Sequence, residues 1–261
     1  MIKNISEAGR IVIKVGTSTL AHRTGLMNIQ RVERLVKVLA DLKNSGKEII
    51  LVSSGAIGVG AGKMGLKSRP ADTPSKQACA AIGQCELMYC YDKYFSEYNH
   101  VVAQVLLTRD IIDSPERKEN VVNTFQHLLH FGVIPVVNEN DTVSVEEIEF
   151  GDNDTLSAIV GTLAGADLLV ILSDIDGVFD GDPRSNPDAK LISRIPAITD
   201  EVRALAGDRG STLGTGGMIT KLTAAQIGLD AGFPTVIMNG SAPELLYQLF
   251  EGEGVGTWIG E

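Results

Sequence analysis

Short apolar runs rich in Val, Ile and Leu recur along the chain, and most are separated by stretches whose apolar positions repeat every three or four residues. The first kind predicts strands and the second amphipathic helices. "RIVIKVGTSTL" (10–20) reads as a strand that breaks at Gly16 and opens into a loop. Residues 28–44 carry helical spacing and stop near Gly46. A buried strand follows at 48–52, then Ser53-Ser54-Gly55 and the start of a small-residue helix. After a loop at 67–75 come a long helix at 75–97, a strand within 100–108, a helix at 115–131 and a strand at 133–137. Residues 142–151 alternate apolar and polar, the pattern of a hairpin. "DNDTLSAIVGTLAGA" (152–166) reads as a helix with an Asx cap, and a strand at 168–172 ends in Ser-Asp. A glycine-rich loop at 207–217 leads into a helix at 217–231, then a strand at 234–240, a helix at 242–249 and a short strand in 254–260.

The strand runs are continuously apolar rather than alternating, as expected where both faces are covered. Strands and helices alternate almost throughout. The expected fold is therefore α/β: an open, mostly parallel central sheet sandwiched between helices. No internal repeat or linker divides the chain. The expected organisation is a single domain over 1–261, with approximate lobes at 1–165 and 166–261.

Composition narrows the functions. The chain has 261 residues, 44% of them apolar, enough for a substantial core, and 28 glycines suit many strand-to-helix turns. A net charge of −10 argues against general binding to nucleic acid or anionic membranes, because no surplus of Lys and Arg exists to displace counterions. An anionic ligand would need a local basic pocket. The three cysteines, Cys79, Cys85 and Cys90, sit in one helical stretch without metal spacing and read as buried free thiols of a reducing compartment. "MIKNISEAGR" lacks the apolar core of a signal peptide, and no run approaches ~18 apolar residues. The expected location is the cytoplasm.

In open α/β sheets ligands bind beyond the carboxyl ends of the strands. Those ends collect polar residues: Lys14 with Gly16-Thr17-Ser18, Ser53-Ser54-Gly55, Asn138-Glu139-Asn140-Asp141 and Ser173-Asp174. Lys14 lies between apolar neighbours, where an ammonium is costly to bury without an anion. It is either an edge lysine whose stem reaches water or a cation aimed at a phosphate. Gly55 opens a helix, whose free N–H groups suit either a Ser cap or an anion. Asp152 and Asp154 stand two apart at a helix start; one can cap while the other faces the cleft. "GTGGMITK" (214–221) departs from the Walker pattern, since Ile219 stands where that pattern has its second glycine. It is a phosphate cradle of another geometry or a flexible turn. "SDIDGVFDGDPRSNPD" (173–188) fails the EF-hand pattern and reads as a polar surface loop. His127 and His130 have no evident third ligand, and the segment 62–76 reads as a flap or as solvated surface.

Taken together, "IVIKVGTSTL", "LVSSGAIGVG", "PVVNENDTV", "FGDNDTLSA", "SDIDGVFDGDPRSNPDA" and "GTGGMITKLTAA" resemble, in order, the blocks of the amino-acid kinase family, and specifically of its members that act on glutamate. The resemblance spans essentially the whole chain. It implies transfer of phosphate from ATP, with Mg2+, to the γ-carboxylate of L-glutamate, giving L-glutamyl 5-phosphate in the first step of proline biosynthesis. Lys14, Asp154 and Lys221 would be catalytic: the lysines contact the transferring phosphate, and Asp154 orients them. Ser54, Asp141 and Asn153 would hold glutamate. Lys14, Ser173, Asp174, Thr215, Gly216, Gly217, Met218, Ile219, Thr220 and Lys221 would hold the nucleotide, with Mg2+ carried by ATP rather than by protein side chains. Ser173 stands where the family often has Thr, and the hydroxyl is retained. The resemblance also implies a homo-oligomer, dimer or tetramer, and proline as a feedback inhibitor. The small C-terminal domain that many bacterial members carry is not expected. The rival readings are a sister kinase for another acidic amino acid, such as aspartate or N-acetylglutamate, and a non-catalytic amino-acid or nucleotide sensor. Asp141 favours a free amine over an acetylated one.

Overall fold

A computed structural model of the protein describes residues 5–22, 24–108, 110–143, 152–183, 185–206 and 217–261. A single 3-10 turn, Ile5–Glu7, precedes β1 (Arg10–Val15), α1 (Thr17–Leu20), α2 (Ile29–Asn44), β2 (Glu48–Ser53), α3 (Ala56–Lys63) and α4 (Thr73–Ser96). Then come β3 (Val102–Leu107), α5 (Asp110–Asp113), α6 (Pro115–His130), β4 (Ile134–Glu139), α7 (Asn153–Ala164) and β5 (Leu168–Ser173). The chain continues with β6 (Arg194–Ile195), α8 (Asp200–Leu205), α9 (Met218–Ala231), β7 (Thr235–Asn239), α10 (Leu245–Glu251) and β8 (Thr257–Ile259).

The strands form one eight-stranded sheet in the order β3-β4-β2-β1-β5-β7-β8-β6. Pairing is parallel from β3 to β7; β8 runs antiparallel to β7, and β6 parallel to β8. The expected α/β architecture is therefore the one observed. Helices cover both faces, and the side chains of β1 divide between two cores. Ile11, Ile13 and Val15 pack with Leu35 and Leu39 of α2 and Phe95 of α4. Val12 packs on the other side with Leu156 and Val160 of α7 and Leu222 and Ala225 of α9. Lys14 shares the parity of Val12, so its side chain enters the α7–α9 layer.

The topology creates a crevice. From β1 the chain moves outward to β2, and from β5 it moves outward to β7 on the opposite side, although β1 and β5 are direct neighbours. Ligands of open α/β sheets bind at such a reversal.

Several expectations need correction. The loop expected after Gly16 contains the helical turn α1, and α5, α8 and β6 have no counterpart in the hydrophobic pattern. All four are two to six residues long, too short for a periodicity to show. Cys79 is buried, but Cys85 is exposed and Cys90 half-buried. Six residues along α4 turn Cys85 away from the face that Cys79 buries. The hairpin expected at 142–151 lies, from residue 144 onward, outside the described residues, as does the glycine loop at 207–216.

Candidate active site

The buried charge at the crevice is an ion-pair triad. Asp154, in the first turn of α7, is fully buried. Its Oδ1 pairs with Lys14 Nζ at 2.7 Å and its Oδ2 with Lys221 Nζ at 3.0 Å. The lysines are only 8% and 6% exposed. Burial alone pushes the Asp154 carboxyl up, but the charges and hydrogen bonds of the two ammonium groups outweigh it and hold the carboxyl at about 2. Thr220 donates to the same Oδ2 at 2.8 Å and lies as close to the carbonyl of Gly217. One carboxylate thus fixes two cations, one from β1 and one from the first turn of α9.

The helices begin in two ways. Helices α2, α4, α6, α7 and α8 begin with Asn28, Asp72, Ser114, Asp152 and Thr199, each accepting a first-turn N–H through its side chain. Helices α1, α3 and α9 begin instead with Gly16, Gly55 and Gly217 and have no side-chain cap. Their donors are left for another acceptor, and an anion is the natural one. Gly55 sits at φ 103°, a conformation that a side chain resists. Among the described helices α10, which begins at Glu244, also lacks a side-chain cap, but the starts at Gly16 and Gly55 follow the ends of β1 and β2, and the start at Gly217 carries Lys221 to the crevice.

A cleft of about 700 Å³ opens there. Lys14, Ser54, Asp141, Asn153, Asp154, Ser173, Asp174 and Lys221 all line it. Asn153 donates to Ser54 Oγ and to Asn138 Oδ1, both at 2.9 Å. Ser173 donates to Asp174 Oδ1 at 3.3 Å. Asp152 serves as the cap of α7, accepting from the Thr155 N–H at 2.9 Å, while Asp154 makes the ion pairs; the two aspartates thus divide the roles open to them. Burial, and then the adjacent Asp154 charge, push the Asp152 carboxyl above the ordinary range. Gly217, Met218, Ile219 and Thr220 form the start of α9; Thr215 and Gly216 lie outside the described residues.

The cleft also holds side chains to which the sequence assigned no site role. Asn138 is buried at the end of β4, between Asn153 and Gln84 of α4. Lys67, Arg69 and Lys76, from the segment that the sequence left as flap or surface, line the same cleft. Asn138 had a signal, being a polar residue at a strand end; Gln84 had none, being one polar residue among many on a long helix. His127 and His130 lie near the ring of Phe131, and among the described residues no three His, Cys, Asp or Glu side chains converge as a metal cage.

Comparisons with known proteins agree with this architecture. The pattern of the amino acid kinase family matches residues 9–239. A glutamate 5-kinase of Clostridium perfringens is 53% identical over 98% of this chain and 97% of its own length. A glutamate 5-kinase of Listeria innocua is likewise 53% identical, over 98% of this chain and 95% of its own length. Among solved structures, a UMP kinase from Bacillus anthracis superposes with a TM-score of 0.68 at 20% identity, covering 97% of this chain and 96% of that one. An isopentenyl phosphate kinase superposes at 0.67 with 16% identity, covering 96% and 99%. At such identities the two structures speak for the fold alone. The family pattern and these close relatives both run across the crevice and its lysine–aspartate triad, so the chain belongs to the amino acid kinase family.

Proposed function

We propose that the protein transfers the γ-phosphoryl group of ATP to the γ-carboxylate of L-glutamate, giving L-glutamyl 5-phosphate and ADP, the first step of proline biosynthesis. The observation that carries this reading is the pair of buried ammonium groups on Asp154, set beside a cleft that also holds Ser54, Asp141 and Asn153. The relatives named glutamate 5-kinase support the choice of substrate.

A carboxylate is already a nucleophile at neutral pH, so the reaction needs no general base. One carboxylate oxygen forms a bond to the γ-phosphorus while the bond to the β–γ bridging oxygen breaks, and that oxygen leaves with ADP. The obstacle is repulsion between two anions. Lys14 and Lys221 would offset it at the migrating phosphoryl group, where charge spreads over three equatorial oxygens. The uncapped starts of α3 and α9 would hold the substrate carboxylate and the nucleotide phosphates. Asp154 aims the lysines and removes no proton. Mg2+ bound to the triphosphate would neutralise further charge; the donors fit such a nucleotide-borne ion, since Asp152 and Asp174 offer hard carboxylate oxygens on the same cleft.

Asp141 would accept from the α-ammonium of glutamate, and Ser173 and Asp174 would contact the nucleotide. In this reading residues 1–165 supply the glutamate side and 166–261 the ATP side of one continuous sheet. A cytoplasmic homo-oligomer, dimer or tetramer, with proline as feedback inhibitor, completes the proposal and rests on the family resemblance.

The test is ADP release with a panel of amino acids, coupled to hydroxylamine trapping of the acyl phosphate. Glutamate should give both ADP and the hydroxamate. ADP release with aspartate or N-acetylglutamate but not glutamate would reassign the substrate, and nucleotide binding without turnover would make the protein a sensor. Repeating the assay with proline, and sizing the protein in solution, reads the remaining points.

A further inference from the structure

We propose that Gln84 is a positioning residue that sets the hydrogen-bond polarity of the amino-acid site through a relay of two amides, the buried Asn138 and the half-buried Asn153; this rests on the reading above that Ser54 and Asn153 hold glutamate. Gln84 Oε1 accepts from Asn138 Nδ2 at 3.0 Å. With its N–H directed to α4, Asn138 turns its Oδ1 to Asn153 and accepts from Asn153 Nδ2 at 2.9 Å. The same Nδ2 donates to Ser54 Oγ at 2.9 Å and lies 3.3 Å from the Ser53 carbonyl. An amide nitrogen has two protons, so Asn153 is fully engaged on its donor side. Its Oδ1 is the atom left for the substrate. Ser54 Oγ, having accepted, keeps its own O–H to give. The cleft therefore presents one acceptor and one donor side by side, the complement of an ammonium and a carboxylate.

The orientation of every amide in this relay depends on the one before it. Had Gln84 no acceptor to offer, Asn138 could rotate and present Nδ2 to Asn153, setting donor against donor. Asn153 would then turn its own Nδ2 toward a cationic ammonium. The backbone beside Gln84 is closely packed, which holds the head of the relay in place. At its neighbour Gly83, a Cβ would lie 1.8 Å from the Ala56 carbonyl, so α4 and α3 touch backbone to backbone there.

The experiment compares Gln84→Met, which keeps the length and removes the acceptor, with Gln84→Glu, which keeps an acceptor facing Asn138. Steady-state kinetics are measured for both substrates. Gln84→Met should raise the glutamate KM about tenfold, the effect of one buried donor left unpaired. The ATP KM should stay within about twofold, because the relay does not reach the nucleotide side. Gln84→Glu should return the glutamate KM to within about twofold of the parent. If Gln84→Met does not fold, the donor-only Gln84→Lys carries the same expectation. A glutamate KM unchanged in Gln84→Met, a parallel rise in both KM values, or a Gln84→Glu variant as impaired as Gln84→Met would overturn the proposal. A parent enzyme inactive with glutamate would instead refute the substrate assignment, and the same comparison would then be made with whichever amino acid the panel identifies.

Discussion

Replacing Asp154 by Asn separates the two roles of the triad, burial and aim. The Asp154 carboxyl is fully buried, and its ionisation is displaced from the ordinary 3.8 to about 2. At about 1.4 kcal/mol per pH unit, this amounts to about 2 kcal/mol of net coupling after desolvation. Because the folded value is the lower one, that stability is present above about pH 4 and is lost as the pH falls toward 2. Removing the charge also leaves two lysines, 8% and 6% exposed, without a counter-ion. Breaking a buried pair costs about 3–5 kcal/mol, less where the stranded groups can turn to an open cleft. The expected loss near neutral pH is therefore about 2–4 kcal/mol, a fall in Tm on the order of 5–10 °C.

Turnover should respond differently from affinity. In the proposed mechanism Asp154 competes with phosphate for the lysines, so its loss should free them to bind ATP, and the ATP KM should stay level or fall. Their aim at the γ-phosphoryl group is lost, and kcat should drop about 10²–10³-fold. No new ionisation should appear on the alkaline side of the rate profile, since Asp154 removes no proton. Thermal melts with and without nucleotide give the sharpest reading: ATP should raise the Tm of Asp154→Asn by more than that of the parent. A variant with kcat within threefold of the parent, or one stabilised less by nucleotide than the parent, would refute this account.

Lys14→Met and Lys221→Met should each lower kcat by about 10²–10³ in the hydroxamate assay while the far-UV spectrum stays that of the parent; near-normal turnover in Lys221→Met would remove that lysine from the mechanism. Asp141→Ala should raise the glutamate KM far more than the ATP KM, and equal rises would contradict its place on the ammonium. Gly83→Ala should force α3 and α4 apart, because its Cβ would fall 1.8 Å from the Ala56 carbonyl. Overpacking of this kind costs about 1–3 kcal/mol, so calorimetry should show a lower Tm, and kinetics a weakened glutamate site.

The fold was legible wherever an element was long enough to show a period. The continuous apolar runs of β1, β2, β4, β5 and β7 announced a doubly covered sheet, and the polar residues following them marked the cleft. Lys14 stood out because its charge interrupts such a run. The sequence left open whether that lysine reached water or an anion, and parity decides it. Position 14 points with Val12 into the layer where α7 and α9 start, and Asp154 meets it there. Gln84 was invisible for the opposite reason. A polar residue on a long helix is ordinary, and only the contact of α4 with the end of β4 gives it a partner. Cys85 was misjudged because three thiols close in sequence were read as one environment, whereas a helix distributes them around its axis. The turn α1 and strand β6 follow from tertiary contacts and carry no pattern of their own.

A site that joins two anions must hold cations together before either anion arrives, and like charges left alone would separate or draw in water. In the proposed mechanism Asp154 does this by holding both ammonium groups where the phosphate would come. Its placement explains why the triad draws on distant parts of the chain: Lys14 comes from the central strand, Asp154 from the helix following the β4 connection, and Lys221 from the helix beyond the glycine segment. No single element could bring two ammonium groups to opposite oxygens of one carboxylate, at 2.7 and 3.0 Å, while leaving their open sides to a common cleft. The sheet reversal between β1 and β5 supplies that geometry, because α7 and α9 both begin over the same strand ends. In the proposed mechanism the affinity of the lysines for phosphate and their affinity for Asp154 form a single balance, so the Asn substitution, which weakens the internal pair, should strengthen nucleotide binding relative to turnover.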